Sequence, residues 1–146
     1  MELEKAYLMA REKMEQHGLA HWTFKFDGAV RRLGYCSSHR QVLSFSTQFI
    51  KLNDESVFID TVLHEIAHAL VGHQAGHGYI WKQKAKELGC SPKRCADGSK
   101  INKPSSKYEG ICSKCGWKSA GRNRMRKGAK FFHKACGGDM NYTRVR

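Results

Sequence analysis

With 146 residues, of which 40% are hydrophobic and 27% charged, the chain has the composition of one modest folded domain plus a small satellite, and not of a disordered segment. No run approaches the roughly 20 apolar residues that a bilayer-spanning helix needs. The N-terminal MELEKAYLMAREKMEQHG mixes acids and bases where a secretory signal would be apolar, so a cytoplasmic, nucleoid or nuclear location is expected. The net charge of +13 is lopsided: residues 1–90 hold 11 Lys/Arg and 10 Asp/Glu, whereas residues 91–146 hold 15 and 3. A segment so poor in acids is expected to meet a polyanion, and nucleic acid is the commonest one inside a cell.

Residues 2–17 carry Leu3, Ala6, Tyr7, Ala10 and Met14 at three- and four-residue spacing, which predicts a helix stopped by Gly18. Residues 22–26 alternate apolar and polar, and Asp27-Gly28 is a turn signal. Residues 30–36 and 41–46 read as two further strands, so a small antiparallel sheet is expected. Asn53 or Asp54 can cap a second long helix carrying Val57, Phe58, Val62, Leu63, Ile66, Ala67 and Leu70, which weakens at Gly72 and Gly76. Another helix is expected over 78–88, ended by Gly89, and from Ser91 the composition turns to Lys, Arg, Gly, Ser and Pro.

The central signal is His64-Glu65-Ile66-Ala67-His68 inside that second helix. Residues i and i+4 of a helix lie about 40° apart around the axis, so both imidazoles project from one face at similar height. That spacing suits two nitrogens on one Zn²⁺, with Glu65 beside the first ligand and able to reach a water without binding the metal. Zinc would acidify the water and polarise a carbonyl, and Glu65 would take the proton and deliver it to a leaving amine. A solvated polar stripe is the plainer reading. It fits poorly with a well-capped apolar helix, where these three side chains would be costly to bury.

A third ligand is needed, and His73 and His77 are the candidates. On a continuing helix His73 would lie about 180° from His64, pointing away. The long metzincin spacing would need Gly at 71 and His at 74, where the chain has Val71 and Gln74. Gly72 and Gly76 suggest a chain that leaves the helix and turns back; this favours His77 and leaves His73 on the rim.

The run HEIAHALVGHQAGHGYIWKQKAKELG resembles the core of the SprT-like (Spartan-type) metallopeptidases, in which an HExxH helix is followed by a His-Gly and then an aromatic residue opening the next helix. Here these are His64, Glu65 and His68, then His77-Gly78 and Trp81. The upstream LGYCSSHRQVLSFSTQFIKL is similar to the strand pair that precedes the active helix in that family. The resemblance implies an α+β fold with a compact zincin-like domain. It also implies zinc held by His64, His68 and His77, and Glu65 as catalytic acid/base. The implied task is proteolysis of proteins near or crosslinked to DNA.

Of the other histidines, His17, His21 and His39 have no partner at ligand spacing and are expected to be structural or exposed. Cys36 reads as a small buried apolar residue, and Cys90 and Cys95 as ordinary free thiols. Towards the C-terminus, Cys112-x2-Cys115-Gly116 and His133-x2-Cys136-Gly137 each form a knuckle. Together they predict a closed Cys3His site and hence a structural zinc, without which so short a segment could not fold. Zinc ribbons at this place in the resembling family commonly carry four cysteines, so His133 departs from the pattern. Between the knuckles, Lys118, Arg122, Arg124, Arg126 and Lys127 form a basic loop with aromatics nearby, expected to bind DNA with sequence tolerance, single strands included.

The expected organisation is a zincin-like metallopeptidase domain over 1–90, a basic linker over 91–107 and a basic zinc ribbon over 108–146. The whole is expected to act as a monomeric zinc metallopeptidase on protein substrates, with one catalytic and one structural zinc and no membrane association. The rival class is a DNA-associated, transcription-related zinc-binding factor whose metal site is idle. Glu65 argues against idleness, because a purely structural site does not need it.

Overall fold

The computed structural model describes residues 1–94 and 97–146. Cys95 lies outside the described residues. The chain divides into two units, Met1–Pro104 and Ser105–Arg146.

In the first unit, α1 (Leu3–Gln16) buries Ala6, Ala10 and Met14, one stripe at four-residue spacing. Strands β1 (Thr23–Asp27), β2 (Gly34–Ser37) and β3 (Val42–Ser46) form a sheet in the order β1-β3-β2. The expected antiparallel sheet is corrected here: β2 and β3 are antiparallel, but β3 lies between the other two and runs parallel to β1, with Phe24 beside Leu43 and Phe26 beside Phe45. Strands β1 and β2, though consecutive in the chain, lie on the two edges and do not pair. The β1–β3 junction is tied at its far end. Asp27 accepts hydrogen bonds from Ser44 Oγ and Arg32, and Thr47 Oγ1 donates to the Asp27 carbonyl. As the central strand, β3 is buried at Leu43, Ser44, Phe45 and Ser46, so it lacks the alternation of a half-exposed strand.

A short helix, α2 (Thr47–Leu52), follows without a break. The sequence pattern predicts no element over residues 47–52. Its cap is Ser46, the last residue of β3, whose Oγ accepts from the Phe49 amide at 3.4 Å. Helix α3 (Glu55–Val71) is capped by Asp54, which accepts from the Val57 amide at 3.1 Å. It buries Phe58, Val62, Leu63, Ile66 and Ala67 in the core shared with Phe45, Leu43 and Met14. Gly72 ends it at φ 85°, a 3₁₀ turn covers His73–Ala75, and Gly76 reverses the chain at φ 51° and ψ −134°. That combination is open to glycine and strained for any other residue, so the return path is written into the two glycines. Helix α4 (Tyr79–Leu88) then packs Trp81 and Ala85 into the core. The unit's last segment is fastened by Asn102, whose amide donates to Asn53 Oδ1 at 2.8 Å, and by the Ser91 amide on Asp60 at 2.8 Å.

The second unit is built on an antiparallel pair, β4 (Tyr108–Cys112) and β5 (Met140–Arg144), in register from Tyr108 opposite Arg144 to Cys112 opposite Met140. Its fully buried residues include little beyond Cys112, Met140 and Gly110, too small a core to fold by apolar burial alone. Among the described residues no helix is long and apolar enough to cross a membrane.

Candidate functional site

Two turns of α3 and one returning loop build the principal site. His64 and His68 project from the same face of α3, and the Gly72–Gly76 reversal delivers His77 to them at the threshold of α4. The His77 Nε2 atom lies 3.1 Å from His64 Nε2 and 2.9 Å from His68 Nε2. His73, the other candidate, lines the same cleft but stands outside this cluster.

Three imidazole nitrogens this close fit a metal ion by simple geometry. Nitrogens about 2.0–2.1 Å from one tetrahedral zinc lie about 3.3 Å from each other. His77 Nε2 makes both short contacts, and a single ring nitrogen carries either one proton or one lone pair. Two good hydrogen bonds therefore do not result, whereas a cation among three lone pairs satisfies all of them. The electrostatics agree. Burial, with the neighbouring imidazoles adding to it, pushes His64 down to about 4, and burial with His77 does the same to His68. Burial and then the charge of Arg94 lower His77. Each shift favours the neutral ring, the form that offers a lone pair to a metal.

Glu65 lies on the wall of the same cleft, a space of about 780 Å³. It is 7% exposed, and burial pushes its carboxyl up to about 8, against the opposing charge of Arg32. The edge strand β2 crosses directly above it. A Cβ placed on Gly34 would sit 2.9 Å from Glu65 Cγ and 3.0 Å from Glu65 Oε1. Only the missing side chain lets strand and carboxylate approach. Sequence reading missed this residue, although an isolated glycine inside a strand is a signal of close approach. Cys36, two residues along and on the same face, is half-buried at the cleft instead of fully buried, and burial pushes its thiol up to about 11.

Beneath the imidazoles lies Trp81, the largest fully buried side chain. Its indole Nε1 is buried with no hydrogen-bond partner, at a cost of order 1–3 kcal/mol. Cys90 is buried and unreactive, its thiol raised to about 11 by burial and by Asp60. His21 and His39 are exposed.

The second unit brings together Cys112, Cys115, His133 and Cys136, a group that could hold a metal ion. Cys136 Sγ lies 3.5 Å from the sulfurs of both Cys112 and Cys115, and His133 Nδ1 lies 3.2 Å from Cys115 and 3.3 Å from Cys136. These separations suit a tetrahedral zinc, for which sulfurs about 2.3 Å from the metal lie about 3.8 Å apart. The two knuckles repeat one design. The Gly116 amide donates to the Cys112 carbonyl, the Gly137 amide donates to the His133 carbonyl, and both glycines are left-handed. Backbone amides of Cys115 and Lys114 hold the Cys112 thiol down to about 6, favouring the thiolate that binds metal. Trp117 stacks face to face on His133, with ring centroids 4.6 Å apart.

The five basic residues are all exposed, but they are not equivalent. The Arg122 guanidinium lies 4.1 Å over Phe131 and 5.5 Å from Tyr142, and its Nε donates to Tyr142 Oη at 3.1 Å. It is therefore held on the unit's own aromatics. Lys118 sits in a bridge opposite Ile111. Arg124, Arg126 and Lys127 lie on the intervening loop.

No curated protein and no solved structure matches the chain. A family model does, and it covers the whole first unit but its ends: with residues 3–103 matched, the chain belongs to the SprT-like family.

Proposed function

We propose that this protein is a zinc-dependent metallopeptidase that acts on proteins at or crosslinked to DNA. The supporting observation is the convergence of three imidazoles, from His64, His68 and His77, in a cleft whose wall carries the buried carboxyl of Glu65. Membership of the SprT-like family, which is associated with metallopeptidase-like function, agrees with it.

In this reading His64, His68 and His77 hold the metal. Zinc bound there would polarise the scissile carbonyl and acidify a water. Glu65 takes a proton from the attacking water and returns it to the nitrogen of the leaving amine. Burial raises this carboxyl, and a cation held on the three adjacent imidazoles would draw it back toward the ionised form that accepts the proton. Gly34 sets how deeply Glu65 can sit against β2. The cleft, of about 780 Å³, sets Val30, Leu33 and Tyr35 beside Arg31 and Arg32 around the histidines, a mixed lining suited to a polypeptide segment.

The second unit, with 11 Lys/Arg against 2 Asp/Glu over 105–146, would hold the protein on nucleic acid through Arg124, Arg126 and Lys127, its fold pinned by a second zinc on Cys112, Cys115, His133 and Cys136. This contact would be charge-driven and indifferent to base sequence.

Glu65→Gln tests the peptidase reading. The variant should keep its zinc and lose 10²–10⁴-fold in hydrolysis of an unstructured polypeptide, the range for a general acid–base group. Full activity with the amide in place would remove Glu65 from the mechanism. Unchanged DNA affinity and cellular effect in an inactive variant would favour a binding factor with an idle site. For the DNA contact, replacing Arg124, Arg126 and Lys127 by Ala should flatten the dependence of log affinity on log salt by about 2–3. An unaltered slope would place the contact elsewhere.

A further inference from the structure

A metal-binding histidine ordinarily donates its second ring N–H to a carboxylate, a carbonyl or water, which fixes the ring plane. Among the described residues, no carboxylate or carbonyl accepts a hydrogen bond from the His64, His68 or His77 ring, and their polar contacts are with one another. One side chain touches all three. The Trp81 indole lies 4.6 Å from the His64 ring, 5.3 Å from His68 and 4.7 Å from His77, centroid to centroid. It meets them at three different angles: tilted by 58° on His64, stacked within 25° on His68, and edge-on at 79° to His77.

We propose that Trp81 is a positioning residue of the three-histidine site, its flat buried indole fixing the three ring planes where no carboxylate or carbonyl of the described residues does so, and thereby setting the affinity for zinc. The proposal rests on the metal-binding reading above. Four features carry it. Trp81 is 0% exposed and so has no room to swing away. It lies four residues after His77, in the first turn of α4, so the reversal that returns His77 also places the indole behind it. It touches ligands from α3 and from the return loop, which couples two segments that would otherwise move separately. Its Nε1 has no partner, a penalty that a phenylalanine or leucine would avoid. What the site retains in exchange is the breadth of the indole face. That face also favours imidazoles made electron-poor by coordination, since indole is the best aromatic partner for nearby positive charge.

The test is zinc affinity of the full chain, measured by chelator competition for wild type, Trp81→Phe and Trp81→Leu, together with cobalt(II) absorption spectra. The Cys112–Cys136 site, marked by sulfur-to-cobalt charge transfer, serves as an internal reference. Trp81→Leu should bind zinc at the three-histidine site 10–100-fold more weakly, the cost typical of losing an outer-shell partner. Trp81→Phe, whose single ring is too narrow to cover three imidazoles, should fall between Leu and wild type and shift the cobalt bands. Circular dichroism of the metal-free chains separates lost orientation from lost folding. If Trp81→Leu does not fold, Trp81→Phe decides. A folded variant with wild-type affinity and an unaltered cobalt spectrum overturns the proposal. If wild type itself takes up only the reference metal, the three-histidine reading fails, and the role of Trp81 with it.

Discussion

The two histidine-bearing clusters of this chain are made in opposite ways. His64, His68 and His77 are partly buried, come from one helix and the reversal that follows it, and rest on a core that includes Trp81, Phe58, Val62 and Phe45. Cys112, Cys115, His133 and Cys136 sit on two local knuckles with almost no apolar core around them. In the first unit the fold supports the site, whereas in the second a metal on the four ligands would support the fold. Both press an indole against an imidazole, yet Trp81 is 0% exposed and Trp117 is 49% exposed. The same contact is thus structural reinforcement in one unit and surface in the other.

Chelation should expose this difference most strongly. Structural zinc in such small units supplies about 10–16 kcal/mol of apparent binding energy at pH 7, which is folding energy there. Metal removal should therefore collapse the amide dispersion of residues 105–146 in an NMR spectrum while the signals of α1, α3 and β3 stay dispersed. Equal loss in both units, or in neither, would end the contrast.

Gly34→Ala comes next in expected size. The added methyl would crowd Glu65, and displacements of about 1 Å at a reacting group cost about 10²-fold in rate. Turnover should drop by that order while bound zinc per chain is unchanged. A parallel loss of zinc would mean that the helix, and not the carboxylate, had moved.

Arg122→Lys probes the second unit at a similar level of detail. Lysine cannot stack as a guanidinium does, so the unit should lose about 1 kcal/mol of stability in a denaturant titration. Arg126→Ala should leave stability within about 0.5 kcal/mol and weaken DNA binding instead. A reversed pattern would return Arg122 to the nucleic-acid surface.

The smallest effect concerns pH. Burial raises the Asp27 carboxyl, but the donors on it, Ser44, the Ala29 amide and Arg32, outweigh this and hold it below its ordinary value of 3.8. A carboxylate with a depressed folded pKa stabilises above its unfolded value, and that contribution disappears as pH falls through the folded one. Asp27→Asn should therefore cost about 0.5–1.5 kcal/mol at pH 7 and leave a flatter acid-unfolding curve below pH 4. A wild-type curve in the variant would show that Asp27 does not tie β1 to β3.

The amino-acid sequence by itself determined the local features: α1, α3 and α4 with their glycine stops, the Asp54 cap of α3, the one-face placement of His64 and His68, the turn that returns His77, the two Cys/His knuckles, and the crowding of positive charge after residue 90. Helical periodicity, capping and ligand spacing are properties of a few adjacent residues, so they can be read along the chain. Tertiary structure alone decided that β3 lies between β1 and β2, that Ser46 ends a strand and caps α2 at once, that Gly34 makes room for Glu65, that Trp81 underlies three imidazoles, and that Arg122 is held by Phe131 and Tyr142. Each of these depends on residues far apart in sequence meeting at van der Waals distance, and composition and periodicity carry no record of which distant surfaces will meet.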